Sequence, residues 1–334
     1  MNALVTGGTG FVGKPLVRRL LQDGWHVTLL TRDRERARDI DGGNLTVYEG
    51  DVSDSEATDR VARLANRFDA VFHLAASLSY FGEREELYRT NVQGTRNVLS
   101  LAIESRAKKF IYASSIEAAG PVTRKQVPAS PDGACKPVSP YGVTKVLAER
   151  LVMSAARGHF PAAALRIGNV YGPDHLSFVS EIAEAILQRN RLLEFLPIYA
   201  DRYIHPVHND DVTRGILAAY WSDAPSCTVT LAGEYATVGD LFQICAEFLG
   251  KQIRPRQRRK TDEIYLLLRR EYHRRSKTAD FITYLMAGPG KRIHRAYSLE
   301  ETRRALGFSP QVTLRNGVTQ TLRRAKDAGL SILS

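Results

Sequence analysis

Short β-branched runs alternate with amphipathic stretches through the first half of the chain, and this alternation predicts a parallel sheet covered by helices. Asn2–Thr6, His26–Leu30, Leu45–Tyr48, Ala70–Leu74, Phe110–Ser114 and Ala162–Ile167 read as six strands. Between them, Val12–Gln22 repeats Val, Leu, Val, Leu and Leu at helical spacing, and Arg84–Arg106 carries a long helical pattern. Ser139–Arg157 is a further long helix, opened by Ser-Pro, a capping residue followed by a proline in the first turn. After about Gly172 the segments become helix-rich, with short strands such as Val229–Ala232. The expected architecture is a doubly wound α/β sheet over 1–172 and a smaller, mostly carboxy-terminal substrate lid over 173–334, with segments near 203–232 returning to the sheet.

Composition narrows this little: of 334 residues, 43% are hydrophobic and 25% charged, ordinary for a soluble globular protein. No run of about 18 apolar residues suggests a membrane-spanning helix. The first residues lack a basic, then apolar, leader, so a cytoplasmic location is expected. Cys135, Cys227 and Cys245 show neither metal-ligand nor CxxC spacing, so reduced thiols and no metal are expected. The net charge of +11 is steepest over Lys251–Lys277. No nucleic-acid module accompanies it, so no nucleic-acid partner is expected and the stretch reads as a solvated basic face. The alternative use is contact with an anionic membrane, because Asp262–Arg275 pairs Leu-Leu-Leu with Arg-Arg.

The candidate chemistry changes the picture more. Thr6-Gly7-Gly8-Thr9-Gly10-Phe11-Val12-Gly13 follows a strand and opens a helix, the context in which a glycine fingerprint binds a dinucleotide. Gly7 or Gly8 can take the positive φ of a tight turn, Gly10 admits a pyrophosphate, and Gly13 lets helix and strand pack closely. Asp51 and Val52 are placed to meet the adenine, and Leu74, Ala75 and Ala76 are small enough for a cofactor to cross the strand tips. An NAD site usually carries an acid at the end of the second strand to bind the ribose 2′-hydroxyl. Here that strand ends in Thr31-Arg32, and a guanidinium suits a 2′-phosphate. Asp33 falls too late and reads as facing solvent. NADP(H) is therefore the expected cofactor, with NAD(H) the alternative.

Tyr141-Gly-Val-Thr-Lys145 places a phenol and an ammonium on one helical face, where the ammonium is expected to draw the phenol's pKa towards neutrality. Tyr141 then reads as a general acid or base. Ser114 and Ser115 end the fifth strand, and a hydroxyl there can hydrogen-bond a substrate oxygen as charge develops on it. Both serines stay open, with Ser115 preferred.

Together with Leu165-Arg166-Ile167-Gly168-Asn169-Val170-Tyr171-Gly172-Pro173, these motifs make the chain resemble the extended short-chain dehydrogenase/reductase family, which includes nucleotide-sugar epimerases and dehydratases. His208-Asn209-Asp210-Asp211-Val212 and Leu306-Gly307-Phe308-Ser309-Pro310 match later landmarks, so the likeness covers nearly the whole chain. The resemblance implies a Rossmann fold with Ser115, Tyr141 and Lys145 as the catalytic triad. It also implies Lys145 on the nicotinamide ribose, Ile167 near the carboxamide, and a homodimer through the helices of Arg84–Arg106 and Ser139–Arg157. Asn91 matches a family position that steadies the site, though it reads equally well as a helix hydrogen-bonding residue.

Within the family the pattern is most similar to dihydroflavonol-reductase-like and 3β-hydroxysteroid-dehydrogenase-like members. The expected activity is therefore reduction of a ketone or aldehyde, or oxidation of the alcohol, on a mostly apolar or polycyclic small molecule. Ala75–Gly82, Tyr265–Leu268 and Phe281–Met286 would line its pocket. Dehydratase members carry an acidic pair directly after the hydroxyl residue, whereas Ile116-Glu117 offers one acid displaced by one position. Epimerases present an arginine before the landmark histidine, and Arg202 fits if that residue is His205 but not if it is His208. A nucleotide-sugar epimerase or reductase is the first alternative, and a non-catalytic NADPH-binding sensor or scaffold the second.

Overall fold

A computed structural model describes residues 1–40, 42–64, 67–78, 84–130, 133, 135–173, 178–187, 200–252 and 294–328. Strands β1 (Asn2–Thr6), β2 (His26–Thr31), β3 (Leu45–Glu49), β4 (Ala70–His73), β5 (Phe110–Ser115) and β6 (Ala162–Ile167) form a parallel sheet. Three short strands follow, β7 (Asn169–Tyr171), β8 (Tyr203–Ile204) and β9 (Pro206–His208), before β10 (Cys227–Leu231) and β11 (Ala236–Thr237). The seven-stranded order is β10-β6-β5-β4-β1-β2-β3, every pair parallel. Strand order reverses between β1 and β4, and in such sheets a ligand crevice opens at the carboxyl ends of the strands beside that reversal.

The six strands read from the sequence are present to within a residue or two. The helices are α1 (Gly13–Gln22), α2 (Ser55–Leu64), α3 (Arg84–Tyr88), α4 (Gly94–Glu104), α5 (Ile116–Ala119) and α6 (Pro140–Ala156). They continue with α7 (Phe178–Leu187), α8 (Asn209–Trp221), α9 (Val238–Phe248), α10 (Glu300–Leu306) and α11 (Leu314–Asp327). The single helix expected over Arg84–Arg106 is interrupted: Arg89–Gln93 forms one turn of π-helix between α3 and α4. Asn91 lies within that wider turn and holds both backbone groups of Ser77, which an uninterrupted helical repeat gives no hint of. Ser139 caps α6 as its sequence suggests, accepting from Gly142 N at 3.0 Å.

Alternation along the strands sorts side chains into two apolar layers. Ala3, Val5, Val27 and Leu29 pack with Leu16, Val17, Leu20, Trp25 and Ile216 on one face. Leu4, Leu30, Val71, Phe110 and Tyr112 pack with Val98, Ala148 and Val152 on the other. A separate cluster joins Tyr171, Phe178 and Ile182 to Leu241, Phe242, Val318 and Leu322. Among the described residues no helix is long and apolar enough to cross a membrane. The basic stretch beyond Gln252, the runs Tyr265–Leu268 and Phe281–Met286, and Ser79–Gly82 lie outside the described residues.

Candidate active site

The crevice is shaped first by glycine. Gly7 takes φ of 71°, and a Cβ there would lie 2.6 Å from the backbone N of Ala75, so the turn after β1 presses directly on the tip of β4. Of the two glycines the sequence offered for the turn, Gly7 is the one with positive φ. A Cβ on Gly13 would sit 2.2 Å from Gly7 O, which keeps the first turn of α1 against the loop. The result is a cleft of about 580 Å³ lined by Gly7, Thr9, Gly10, Arg32, Asp51, Val52, Leu74, Ala75 and Ala76, all expected from the sequence. Its volume is in the usual range for a small-molecule site. Phe11, Val12, Gly13, Asn91, Lys145 and Ile167 are not among the residues lining it. Phe11 O accepts from Asn209 Nδ2 at 2.8 Å, and Ile167 is the register partner of Ser115.

The end of the cleft at the tip of β2 holds residues that the sequence reading passed over. Arg36 lines it together with Arg32, Thr31 and Asp33. Asp33 is exposed, and its Oδ1 accepts from Glu35 N at 2.9 Å, so its carboxylate starts the next helical turn. Asp51 lines the cleft while also making a turn, its Oδ1 accepting from Ser53 N at 2.8 Å. Neither Arg32 nor Arg36 is ion-paired among the described residues. Both guanidiniums stand on the same side of the cleft as the end of β2.

At the other end lie Tyr141, Lys145 and the strand-end serines. The two serines part ways. Ser114 Oγ donates to Glu149 Oε1 at 2.5 Å, behind the site, where Glu149 also takes both Arg166 Nε at 3.0 Å and Nη2 at 2.8 Å. Ser115 remains at the sheet tip, capping α5 through Glu117 N at 3.2 Å and hydrogen-bonded to the Tyr141 phenol. Lys145 is almost wholly buried; its Nζ donates to Ala113 O at 2.8 Å and lies 4.8 Å from the centre of the Tyr112 ring and 5.7 Å from that of Tyr141.

The electrostatics differ from the expectation that Lys145 draws the phenol towards neutrality. Burial raises the Tyr141 pKa well above the ordinary tyrosine value, and the Glu117 carboxylate raises it further against a smaller opposing pull from Ser115. Burial also lowers Lys145, to about 7, with Glu149 opposing. Desolvation disfavours whichever form is charged, and here it acts on both groups at once.

Glu117 is the principal residue whose setting the sequence did not reveal. It is buried, with Oε1 2.5 Å from Arg295 Nε, Oε2 accepting from Arg295 Nη2 at 3.1 Å, and Ser139 Oγ donating to Oε2 at 3.4 Å. Arg295 belongs to a segment that runs beside β8: Arg295 N donates to Tyr203 O at 2.9 Å and Tyr203 N to His294 Nδ1 at 3.1 Å. Arg202, next along, is 4% exposed and Arg295 7%. His208, and not His205, precedes the Asn-Asp-Asp-Val helix α8, so Arg202 stands six residues before it.

A parallel sheet with this reversal point, a Gly7 turn against β4, and a buried Ser-Tyr-Lys cluster at the strand tips define a nucleotide-cofactor-binding α/β protein of the extended short-chain dehydrogenase/reductase type. The family model for the NAD dependent epimerase/dehydratase family matches residues 3–226, and the chain belongs to that family. It is 30% identical over 263 residues to a UDP-N-acetyl-alpha-D-glucosaminuronate decarboxylase of Bacillus cytotoxicus, covering 74% of this chain and 75% of that protein. It is 29% identical over 195 residues to a 2-alkyl-3-oxoalkanoate reductase of Stenotrophomonas maltophilia, covering 56% of each. A UDP-glucose 4-epimerase structure with UDP-glucose, from Thermotoga maritima, shares the fold with a TM-score of 0.77 at 24% identity, covering 98% of this chain and 99% of that one.

Proposed function

We propose that the protein is an NADP(H)-dependent reductase of a keto-sugar carried on a nucleotide, with Tyr141 donating the proton. The observation that carries this reading is the buried charge near the phenol: Glu117, which acts on the Tyr141 phenol, is ion-paired to Arg295, and buried Arg202 immediately precedes β8. An apolar or polycyclic substrate gains nothing from buried guanidiniums, whereas the phosphates of a sugar nucleotide do. The relative that acts on a UDP-linked sugar acid, by its name, covers three-quarters of the chain length and supports the same reading.

When bound, the cofactor supplies hydride to the keto carbon. This chain's residues do the rest. Gly7 and Gly10 admit the pyrophosphate at the start of α1, and Arg32 and Arg36 take the 2′-phosphate. Ser115 hydrogen-bonds the substrate oxygen as negative charge gathers on it. Burial keeps the Tyr141 phenol protonated at neutral pH, which suits a proton donor to that oxygen. Lys145, anchored on Ala113 O, holds the ribose side of the site next to the phenol.

The test is NADPH oxidation with UDP- and dTDP-linked 4-keto-sugars, set against a panel of apolar ketones. Turnover of the sugar nucleotides is expected, with kcat falling about 10²–10⁴-fold in Tyr141→Phe. Reduction of apolar ketones alone overturns the reading and restores the second one, favoured by the 2-alkyl-3-oxoalkanoate reductase likeness. We also propose a homodimer through α3–α4 and α6, whose Tyr88, Ile103 and Val143 are 46%, 36% and 44% exposed. Light scattering at micromolar concentration should give twice the chain mass.

A further inference from the structure

A line of hydrogen bonds, buried for most of its length, crosses from the loop after β4 to helix α6. Ala75 N donates to Thr6 Oγ1 at 3.3 Å. Thr6 and His73 are register partners on neighbouring strands, so their side chains share a face, and Thr6 Oγ1 lies 2.7 Å from His73 Nδ1. His73 Nε2 lies 3.0 Å from Thr95 Oγ1. Thr95 Oγ1 spends its own proton on Asn91 O at 2.6 Å, inside the π-helical turn. Asn91 Nδ2 donates to Thr144 Oγ1 at 3.0 Å, and Thr144 Oγ1 donates to the carbonyl of Tyr141 at 2.8 Å. Asn91 also closes on Ser77 through both backbone groups, at 2.8 and 3.0 Å.

Each hydroxyl has one proton, so the assignment is forced. Thr95 gives its proton to Asn91 O and must accept from His73, which therefore carries hydrogen on Nε2. His73 Nδ1 is then bare and accepts from Thr6, leaving the Thr6 oxygen free to accept from Ala75 N. The ring is fully buried and stacks on Tyr112, and burial with the nearby Lys145 charge holds its pKa at about 3, so it is neutral in use.

We propose that His73, fixed as its Nε2–H tautomer, is a positioning residue that locks the Leu74–Ser77 cofactor loop to the helix bearing Tyr141. A mere packing role would be served by any ring of this size. The directional role requires the donor on one nitrogen and the acceptor on the other, with hydroxyls at 6 and 95. The inference takes from the functional reading only that the loop meets the cofactor and that Tyr141 reacts.

Two readouts independent of the substrate test it. In ¹⁵N-histidine NMR at pH 7, with the signal assigned by its loss in His73→Phe, His73 should appear as the neutral Nε2–H tautomer. Its Nε2 proton should be exchange-protected, and that protection should vanish in Thr95→Val and return in Thr95→Ser. In fluorescence titration with NADPH, Thr6→Val and Thr95→Val should each weaken binding about tenfold, the worth of one well-placed buried hydrogen bond. The double variant should be no weaker than the poorer single, because a chain cut twice is still one broken chain. The serine variants should bind within about twofold of the parent. An Nδ1–H tautomer, a double variant at the product of the two singles, or Thr95→Ser binding as weakly as Thr95→Val would each overturn the proposal. Absence of turnover on every sugar nucleotide would sink the functional reading and leave both readouts standing.

Discussion

The two ends of the crevice are built by different means. The end lined by Gly7, Arg32 and Ala75 is made of three short local segments at the tips of neighbouring strands: the Gly7–Gly13 turn, the end of β2, and the tip of β4. The end that holds Tyr141 relies on side chains brought together from far apart, Glu117 meeting Arg295 across 178 positions and Ser114 meeting Glu149 across 35. The first kind of site is specified by steric permission, where only glycine fits. The second is specified by charge, and its cost is desolvation, which the pairing has to offset. Substitutions should therefore fail differently at the two ends.

The largest expected effect is at the buried Glu117–Arg295 pair. Glu117→Gln leaves the Arg295 guanidinium buried without its carboxylate, and removing one partner of such a pair typically costs about 3–5 kcal/mol. Urea denaturation should show this loss, and Glu117→Met with Arg295→Met should recover most of it while lacking activity. If Glu117→Gln is as stable as the parent, the pair is solvated and is not the electrostatic feature described. The same single change removes a charge that raises Tyr141, so the phenol should ionise at lower pH in Glu117→Gln.

A smaller effect is expected at the other end. Arg32 and Arg36 are exposed, and among the described residues neither guanidinium has an ion-pair partner to lose. Arg32→Ser with Arg36→Ser should leave stability unchanged and lower kcat/KM for NADPH by about 10–100-fold, the worth of one or two charge-assisted contacts. Use of NADH should change little. Equal use of NADH and NADPH by the parent protein would remove the 2′-phosphate role altogether.

This contrast also explains what the sequence disclosed. The six first strands, the glycine turn, Thr31-Arg32 and the Tyr141–Lys145 spacing are local patterns, and each is readable where it stands. Arg36 was within reach too, since it follows Arg32 by one helical turn in a run of charges. The choice between Ser114 and Ser115 was not readable, because it depends on which strand face meets Glu149 of α6. The π-helical turn at Arg89–Gln93 escaped because the contacts it makes, such as those of Asn91 with Ser77, are tertiary. Most of all, the carboxylate at 117 looked like a displaced dehydratase acid, and only its long-range pairing with Arg295 gives it a place. The apolar substrate expectation rested on the family pattern and on Ala75–Gly82 with the runs at 265–268 and 281–286, whereas the buried groups described near Tyr141 include the charged Glu117 and Arg295.

Lys145 offers the finest discrimination, because it belongs to both ends: it sits on the catalytic helix and would face the cofactor ribose. Its burial lowers the folded-state pKa to about 7 from an ordinary 10.5. Between those values the unfolded chain holds a proton that the folded protein has released, so the unfolded state binds more protons and stability rises with pH. The rise should begin near pH 7, end near 10.5, and reach at most about 1.4 kcal/mol per pH unit for this one group. Below pH 7 both states are protonated and the contribution is flat. Lys145→Met fits the same apolar space over Tyr112 without a charge to desolvate. Its urea midpoint should exceed the parent's most clearly at pH 6 and converge on it towards pH 10, although its turnover is lost. A variant that is less stable than the parent at pH 6 would show that the ammonium is solvated or paired in place, and that the Tyr141 end stores no desolvation energy at this residue.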